Sequence, residues 1–331
     1  MIIWGIIYFT NTTSSNSFAS LINEVFMSIL SAPHFHNEEA AVVYLEGIIW
    51  ADGCICPKCG SVREHYKIKG QRPGLRTCKD CRKQFTVKVN TVFESSHIPL
   101  HKWLQAAYLM ASSKKGISSH QLHRTLEVTY KTAWFMTHRL REAMRVLNIE
   151  PLGGEGAIVE ADETYLGGLE KNKHAKDRKK QGRGAVGKEA VFSLVERGGK
   201  VRSTHVKHVN AETLGAVMQE QLREETHLMT DEARQYIPLG KRYAAHEAVH
   251  HSIGEYVRGG AHTNTIEGYF SIFKRGMKGV YQHCNSKHLK RYLAEFDFRY
   301  NERQISDSER ALVALKGIQG KRLMYRDSLT W

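Results

Sequence analysis

The chain has 331 residues, 41% hydrophobic and 25% charged, which is the composition of an ordinary soluble globular protein rather than a fibrous or disordered one. That length suggests two or more domains. The formal net charge is +14 and unevenly spread: residues 1–57 hold five acids and no Lys or Arg, whereas residues 58–150 hold 18 basic residues against 6 acidic ones. A block of that density fits a polyanionic partner, because cations that neutralise phosphates release counterions. A merely solvated basic surface is the bland alternative.

The chain opens on the apolar run Met1–Phe9, which has no basic flank and is too short to span a bilayer. A polar Asn/Thr/Ser tract, Thr10–Ser17, follows. Residues 1–34 read as a disordered or mis-assigned extension, with Met27 as the natural start. Residues 35–50 have helical spacing and lead into a Cys-, Gly- and Lys-rich stretch of short strands and turns, so that residues 35–92 form one module. Residues 97–150 are helical: one helix opens at Pro99, a short one is capped by Ser118 or Ser119 and runs to Leu126, and a longer one runs from Tyr130 to about Leu147.

Composition changes at the Pro151–Gly154 linker. Ala157–Tyr165, Ala190–Val195, Val201–Val209 and His227–Thr230 read as strands, with a helix from Asn210 or Ala211 to Arg223. Helices return at about Thr265. Strands with intervening helices predict an α/β core over residues 155–305, followed by a tail, 306–331. Between the first two strands, Lys171–Lys188 carries eight Lys/Arg and one acid without apolar periodicity. It reads as a mobile basic loop that is either solvated or a DNA contact, with Lys171 and Lys179 as candidates.

Four of the six cysteines form two Cys-x-x-Cys pairs, Cys56–Cys59 and Cys78–Cys81, with 18 residues between them. Without a convincing export signal, such pairs point to a metal rather than to disulfides. Four thiolates complete a closed tetrahedral Zn²⁺ shell with no open position, so the metal is structural. The spacing needs neither Cys54 nor Cys284. Downstream, His120–Leu140 has the pattern of a helix-turn-helix, or else of a plain three-helix linker bundle. In the first reading Tyr130 and Lys131 approach bases, and Arg139 on the same helix contacts DNA.

Asp162 lies within the apolar strand Ala157–Tyr165. Burying an unpaired carboxylate is costly, and a divalent cation would offset the cost. Asp231 ends the strand Leu228–Thr230. Glu267 opens a helix with 35 residues intervening, and Lys274 lies seven positions on, on the same helical face. Three such acids can hold two Mg²⁺ or Mn²⁺ ions about 3.5–4 Å apart. Individually each acid has an ordinary reading. Asn264 with Glu267 fits a capping box, Asp231 a helix start, and Asp162 an exposed edge. His246–His250 also matches the H-E-x-x-H zinc-protease pattern, but the pattern is short, chance matches are common, and a plain run of polar residues is the favoured reading.

Together these residues resemble a known family. The two Cys-x-x-Cys knuckles, Asp162-Glu163-Thr164-Tyr165-Leu166-Gly167-Gly168, His262-Thr263-Asn264-Thr265-Ile266-Glu267-Gly268, Phe273-Lys274-Arg275-Gly276, and the tail from Arg291 to Arg303 are similar to the zinc-ribbon insertion-sequence transposases of bacteria, the Merlin-related group. The resemblance spans about residues 37–305. It implies an RNase H-like core with Asp162, Asp231 and Glu267 as the catalytic triad and Asn264 as a neighbouring or alternate ligand. Lys274 and Arg275 would then meet DNA. It implies metal-dependent cleavage and strand transfer on double-stranded DNA, a homodimer or higher assembly at the element ends, and a cytoplasmic, nucleoid-associated location. A non-catalytic DNA-binding regulator and a structure-specific nuclease are the rival functions.

Overall fold

The computed structural model describes residues 28–326, except 64, 69, 71, 148–149, 169–171, 175, 177, 179–184 and 250–261. The expected start at Met27, and Lys171 and Lys179, lie outside the described residues. The extension expected to reach residue 34 overlaps two short 3₁₀ turns, Ile29–Ser31 and Pro33–Phe35, and Phe35 is buried. Among the described residues no helix is long and apolar enough to cross a membrane.

Helix α1 (Glu38–Ile49) starts under an Asn37 cap and leads into a three-stranded antiparallel ribbon of β1 (Tyr66–Lys67), β2 (Arg76–Thr77) and β3 (Gln84–Phe85). Arg76 ties the ribbon to α1 by pairing with Glu46 and lying over the Trp50 ring. Helices α2 (Leu100–Ser112), α3 (Ser119–Leu126) and α4 (Tyr130–Met144) follow. The start of α2 has no cap of its own. Glu38 supplies one from α1, accepting the Leu100 backbone N–H at 2.5 Å.

These helices do not form a core alone. Leu45, Trp103, Leu104, Met110, Leu122, Met136 and Leu140 pack with Ala314, Leu315 and Ile318, from helix α9 (Asp307–Lys316) and the residues just after it. The segment expected to be a tail is thus a structural member of the N-terminal bundle.

The second body is a five-stranded sheet. In chain order its strands are β4 (Ile158–Leu166), β5 (Glu189–Glu196), β6 (Val201–Val206), β7 (His227–Asp231) and β8 (Ala245–Val249). The spatial order is β6-β5-β4-β7-β8, with the first three antiparallel and β4, β7 and β8 parallel. Helices α5 (Ala211–Gln221) and α6 (Tyr236–Gly240) cover one face, and α7 (Asn264–Gly276) and α8 (Ser286–Asn301) the other. Three antiparallel strands followed by two parallel ones, ordered 3-2-1-4-5 and flanked by helices, form an RNase H-like core.

Period-two alternation decides which side chains meet which layer. On β4, Val159 and Ala161 join the core under α5 and α6. Glu160 and Asp162 therefore point to the face of α7 and α8.

The two bodies meet where α4 packs on α8, through buried charge. Arg141 donates to Glu295 at 2.7 Å, Arg299 pairs with the same carboxylate, and Tyr281 donates to it at 2.5 Å. Burial raises the Glu295 pKa, but Arg299 and Arg141 outweigh it and hold the group down at about 2. Arg291 reaches back to Glu142 at 2.8 Å.

Candidate functional site: a cysteine cluster and a carboxylate cleft

The cysteine site is built by two matching turns. The residue after each knuckle, Gly60 and Arg82, has positive φ, and its N–H returns to the carbonyl of the first cysteine, at 2.9 Å for Cys56 and 3.2 Å for Cys78. These turns aim all four sulfurs at one point. Cys56 Sγ lies 3.7 Å from Cys81 Sγ, Cys59 Sγ lies 3.7 Å from Cys78 Sγ, and all four lie within 4.8 Å of one another. A tetrahedron with 2.3 Å metal–sulfur bonds has edges of about 3.8 Å, so the donors fit a tetrahedral ion such as zinc. Trp50, Phe85 and Val89 pack around them. Cys54 sits beside this cluster without joining it, and Cys284 is on the other body, where burial pushes its thiol up to about 12.

The carboxylate cleft lies on the α7 face of the sheet. The parallel register pairs Ile158 with His227 and Glu160 with Met229; continued by two residues, it brings Asp162 level with Asp231 on the same face. Asp162 accepts the Glu163 backbone N–H at 2.7 Å. Its pKa is raised to about 7: desolvation is the largest cause, that hydrogen bond opposes it, and the charges of Glu163, Asp231 and Glu267 add to the rise. Asp231 and Glu267 are therefore within electrostatic range of Asp162. Their oxygens do not converge as the sulfurs do: among the described residues, the four cysteines form the one group of three or more candidate ligands whose donor atoms lie within 4.8 Å.

The ordinary readings of these acids can be set against the coordinates. Asp162 is on a central strand, not an edge. Asp231 accepts the Ala233 N–H at 3.0 Å, so it also shapes the turn after β7. The Asn264–Glu267 capping box is not formed: Asn264 is the first helical residue, its side chain exposed, and Thr263 precedes the helix. Glu267, Lys274 and Arg275 are exposed along α7. Glu163 faces the opposite layer, where it accepts from Gln235 at 2.9 Å and from the Tyr236 hydroxyl.

One expected DNA contact needs correction. Arg139 is buried, its guanidinium donating to the carbonyls of Leu323 at 3.1 Å and Glu94 at 3.0 Å, so it is not presented to DNA. Helix α4 is buried throughout Met136–Met144; only its start is open, with Tyr130 exposed and stacked on His120, and Lys131 exposed with its ammonium over Tyr325. The H-E-x-x-H stretch, disfavoured as a protease motif, is not helical. His246–Val249 belongs to strand β8, which sends His246 and Glu247 to opposite faces, and His250 lies outside the described residues. His246 meets Thr230 at 2.9 Å and Glu247 meets His227 at 3.0 Å.

Sequence reasoning passed over Glu160, which is fully buried and holds the start of α7. The signal was present in Val159-Glu160-Ala161-Asp162: two acids at period two in an apolar strand share one face.

An RNase H-like core joined to a four-cysteine ribbon defines a class of enzymes that cut and rejoin nucleic acid. Residues 151–301 match the ISXO2-like transposase domain, and residues 36–84 match the transposase zinc-ribbon domain. A protein of the transposable element ISH50 of Halobacterium salinarum, itself uncharacterized, is 31% identical over 277 residues, covering 80% of this chain and 91% of that one. The chain belongs to this family of insertion-sequence transposases. Among solved structures, the simian T-cell lymphotropic virus intasome in complex with the PP2A regulatory subunit B56 gamma is 15% identical, covering 53% of this chain and 67% of that one, with a TM-score of 0.27. The Mos1 Strand Transfer Complex is 13% identical, covering 65% and 74%, with a TM-score of 0.26. Likenesses that loose have no bearing on the residues of the site.

Proposed function

We propose that this transposase binds the ends of its element as double-stranded DNA, cuts there, and joins the freed 3′-hydroxyl to target DNA, using Asp162, Asp231 and Glu267 as ligands for two Mg²⁺ or Mn²⁺ ions. The observation that carries this reading is the position of Asp162: a half-buried central-strand carboxylate whose pKa is raised by desolvation and by neighbouring acids that include both other members of the trio. A carboxylate in that position carries a desolvation cost, and divalent cations with hard oxygen ligands would offset it. When bound, such ions would activate the attacking oxygen and stabilise the leaving one.

In the first step a water oxygen attacks phosphorus, the P–O3′ bond breaks, and the element end keeps a free 3′-hydroxyl. In the second, that hydroxyl loses its proton and attacks a target phosphodiester; one P–O bond forms, another breaks, and a target 3′-hydroxyl leaves. The number of phosphodiesters is unchanged in the second step. Lys274 and Arg275, on the helix that carries Glu267, contact backbone phosphates near the cut. Asn264 stands one turn before Glu267 as the alternate third ligand.

The four cysteines hold a structural Zn²⁺. The ribbon, residues 35–92, and the open start of α4, with Tyr130 and Lys131, read the ends, and residues 155–305 perform the chemistry. The active assembly is a homodimer or larger, because two ends are joined in one event. Incubating the protein and Mg²⁺ with labelled element-end DNA tests the reading. Nicked and joined products are expected, and binding without either would instead favour a non-catalytic regulator. Nicks without joining would favour a nuclease.

A further inference from the structure

Glu160 is an acid with no access to solvent, in the middle of a sheet. Its carboxylate takes four contacts from two directions. Arg197, in the β5–β6 turn, donates to it through Nε at 2.7 Å. The other three come from the start of α7. The Thr265 hydroxyl and the Ile266 backbone N–H donate at 2.9 Å each, and His262 Nδ1 lies 3.3 Å away. Arg197 also reaches the His262 carbonyl, at 2.7 Å. The chain just before α7 is thus pinned on both sides of one ion pair.

A helix start leaves its first N–H groups without intrahelical partners, and Thr263 supplies no side-chain cap here. Glu160 takes that place from another element, and its negative charge suits the positive end of the helix dipole. Removing the acid would take from the half-buried Arg197 the carboxylate it holds, so the contact is held from both ends.

The position of the clamp gives it a consequence for chemistry. Glu160 is two residues before Asp162 on one face of β4, about 7 Å along the strand. Ile266, whose N–H it holds, is the residue immediately before Glu267. The carboxylate therefore links the strand that carries one proposed ligand to the helical turn that carries another.

We propose that Glu160 is a positioning residue: by capping α7 from β4, it sets the spacing between Asp162 and Glu267 at which divalent cations bind. This rests on the reading of those acids as metal ligands. Glu160 touches neither metal nor DNA. It acts through the placement of Glu267.

The test compares Glu160→Gln with Glu267→Gln in the full-length protein, reading end binding, thermal midpoint, Mn²⁺ affinity by electron paramagnetic resonance, and cleavage in Mg²⁺ and in Mn²⁺. Glu160→Gln should bind ends normally, bind Mn²⁺ about 10–100-fold more weakly, and lose cleavage in Mg²⁺ by a similar factor, with partial recovery in Mn²⁺. Full activity and Mn²⁺ affinity in Glu160→Gln, with Glu267→Gln inactive, would overturn the positioning role and leave the site reading intact. Full activity in both would overturn the two together. A lowered midpoint with unchanged Mn²⁺ affinity would mark Glu160 as structural only and overturn the role. Should Glu160→Gln fail to fold, Thr265→Val removes one contact and keeps the shape of the side chain; it should weaken Mn²⁺ binding and cleavage in step, and wild-type values for both would again overturn the proposal.

Discussion

The two candidate metal sites are finished to different degrees. In the ribbon, two tight turns bring four sulfurs to tetrahedral spacing with the protein alone. In the cleft, the acids come from a strand centre, a strand end and a helix start, and they share a field without sharing a point. A thiol can wait neutral beside another thiol, whereas carboxylates crowded together repel until a proton or a cation intervenes. A site meant to hold its ion permanently can be closed in advance. A site that must admit ions together with DNA stays open, at the cost of an uncomfortable acid.

The most drastic way to break this contrast is Cys78→Ser. Cys78 is fully buried, and losing one thiolate should drop the zinc content from about one ion per chain to near zero and abolish end binding, since structural zinc supplies much of the folding energy of small metal modules. Metal analysis and gel shift would check it, and wild-type protein purified without chelator but holding no zinc would refute it. Asp231→Asn and Glu267→Gln should leave the zinc and end binding in place yet cut cleavage and joining by at least about a hundredfold. If Asn264→Ala is inactive while Glu267→Gln is not, Asn264 is the third ligand.

Asp162→Asn sharpens the contrast through stability. The native pKa lies above the ordinary value of 3.8, at about 7, so the folded state holds its proton more tightly than the unfolded chain does. Ionisation therefore costs the metal-free fold nothing below about pH 4, progressively more as pH rises, and its full amount above about pH 7. In EDTA at pH 8 the Asn variant should melt at least about 2 °C higher than the wild type, and the gap should close toward pH 4. Equal midpoints at both pH values would contradict it. Lys274→Ala should slow cleavage only about tenfold, as expected for one charge-assisted contact. Cys54→Ser should leave the zinc content unchanged, as its place beside the cluster requires.

The parts of the molecule that could be read from sequence are those whose pattern is local. The knuckles announce themselves by spacing. β4 and β5 announce themselves by β-branched residues and β7 by a short apolar run, and the acids within β4 and at the end of β7 marked the cleft. Strand β8 gave no such sign: Ala245–Glu247 are all half-buried, and only pairing to β7 makes the segment a strand. Arg139 looked like a surface cation because its partners, the carbonyls of Glu94 and Leu323, are 45 and 184 residues away in the chain. The role of Glu160 depends likewise on a helix that starts 104 residues later, although its shared face with Asp162 was visible.

The return of α9 to the N-terminal bundle bears on how the protein is made. Ribosomes deliver the N-terminal half first, yet Ala314, Leu315 and Ile318 complete its core, so the bundle stays open until nearly the whole polypeptide has emerged. A product truncated anywhere before these residues would expose an apolar groove, and a fragment ending at residue 150 would do the same. Fragments of this protein are thereby marked for degradation or aggregation, not left to compete for element ends with the intact enzyme.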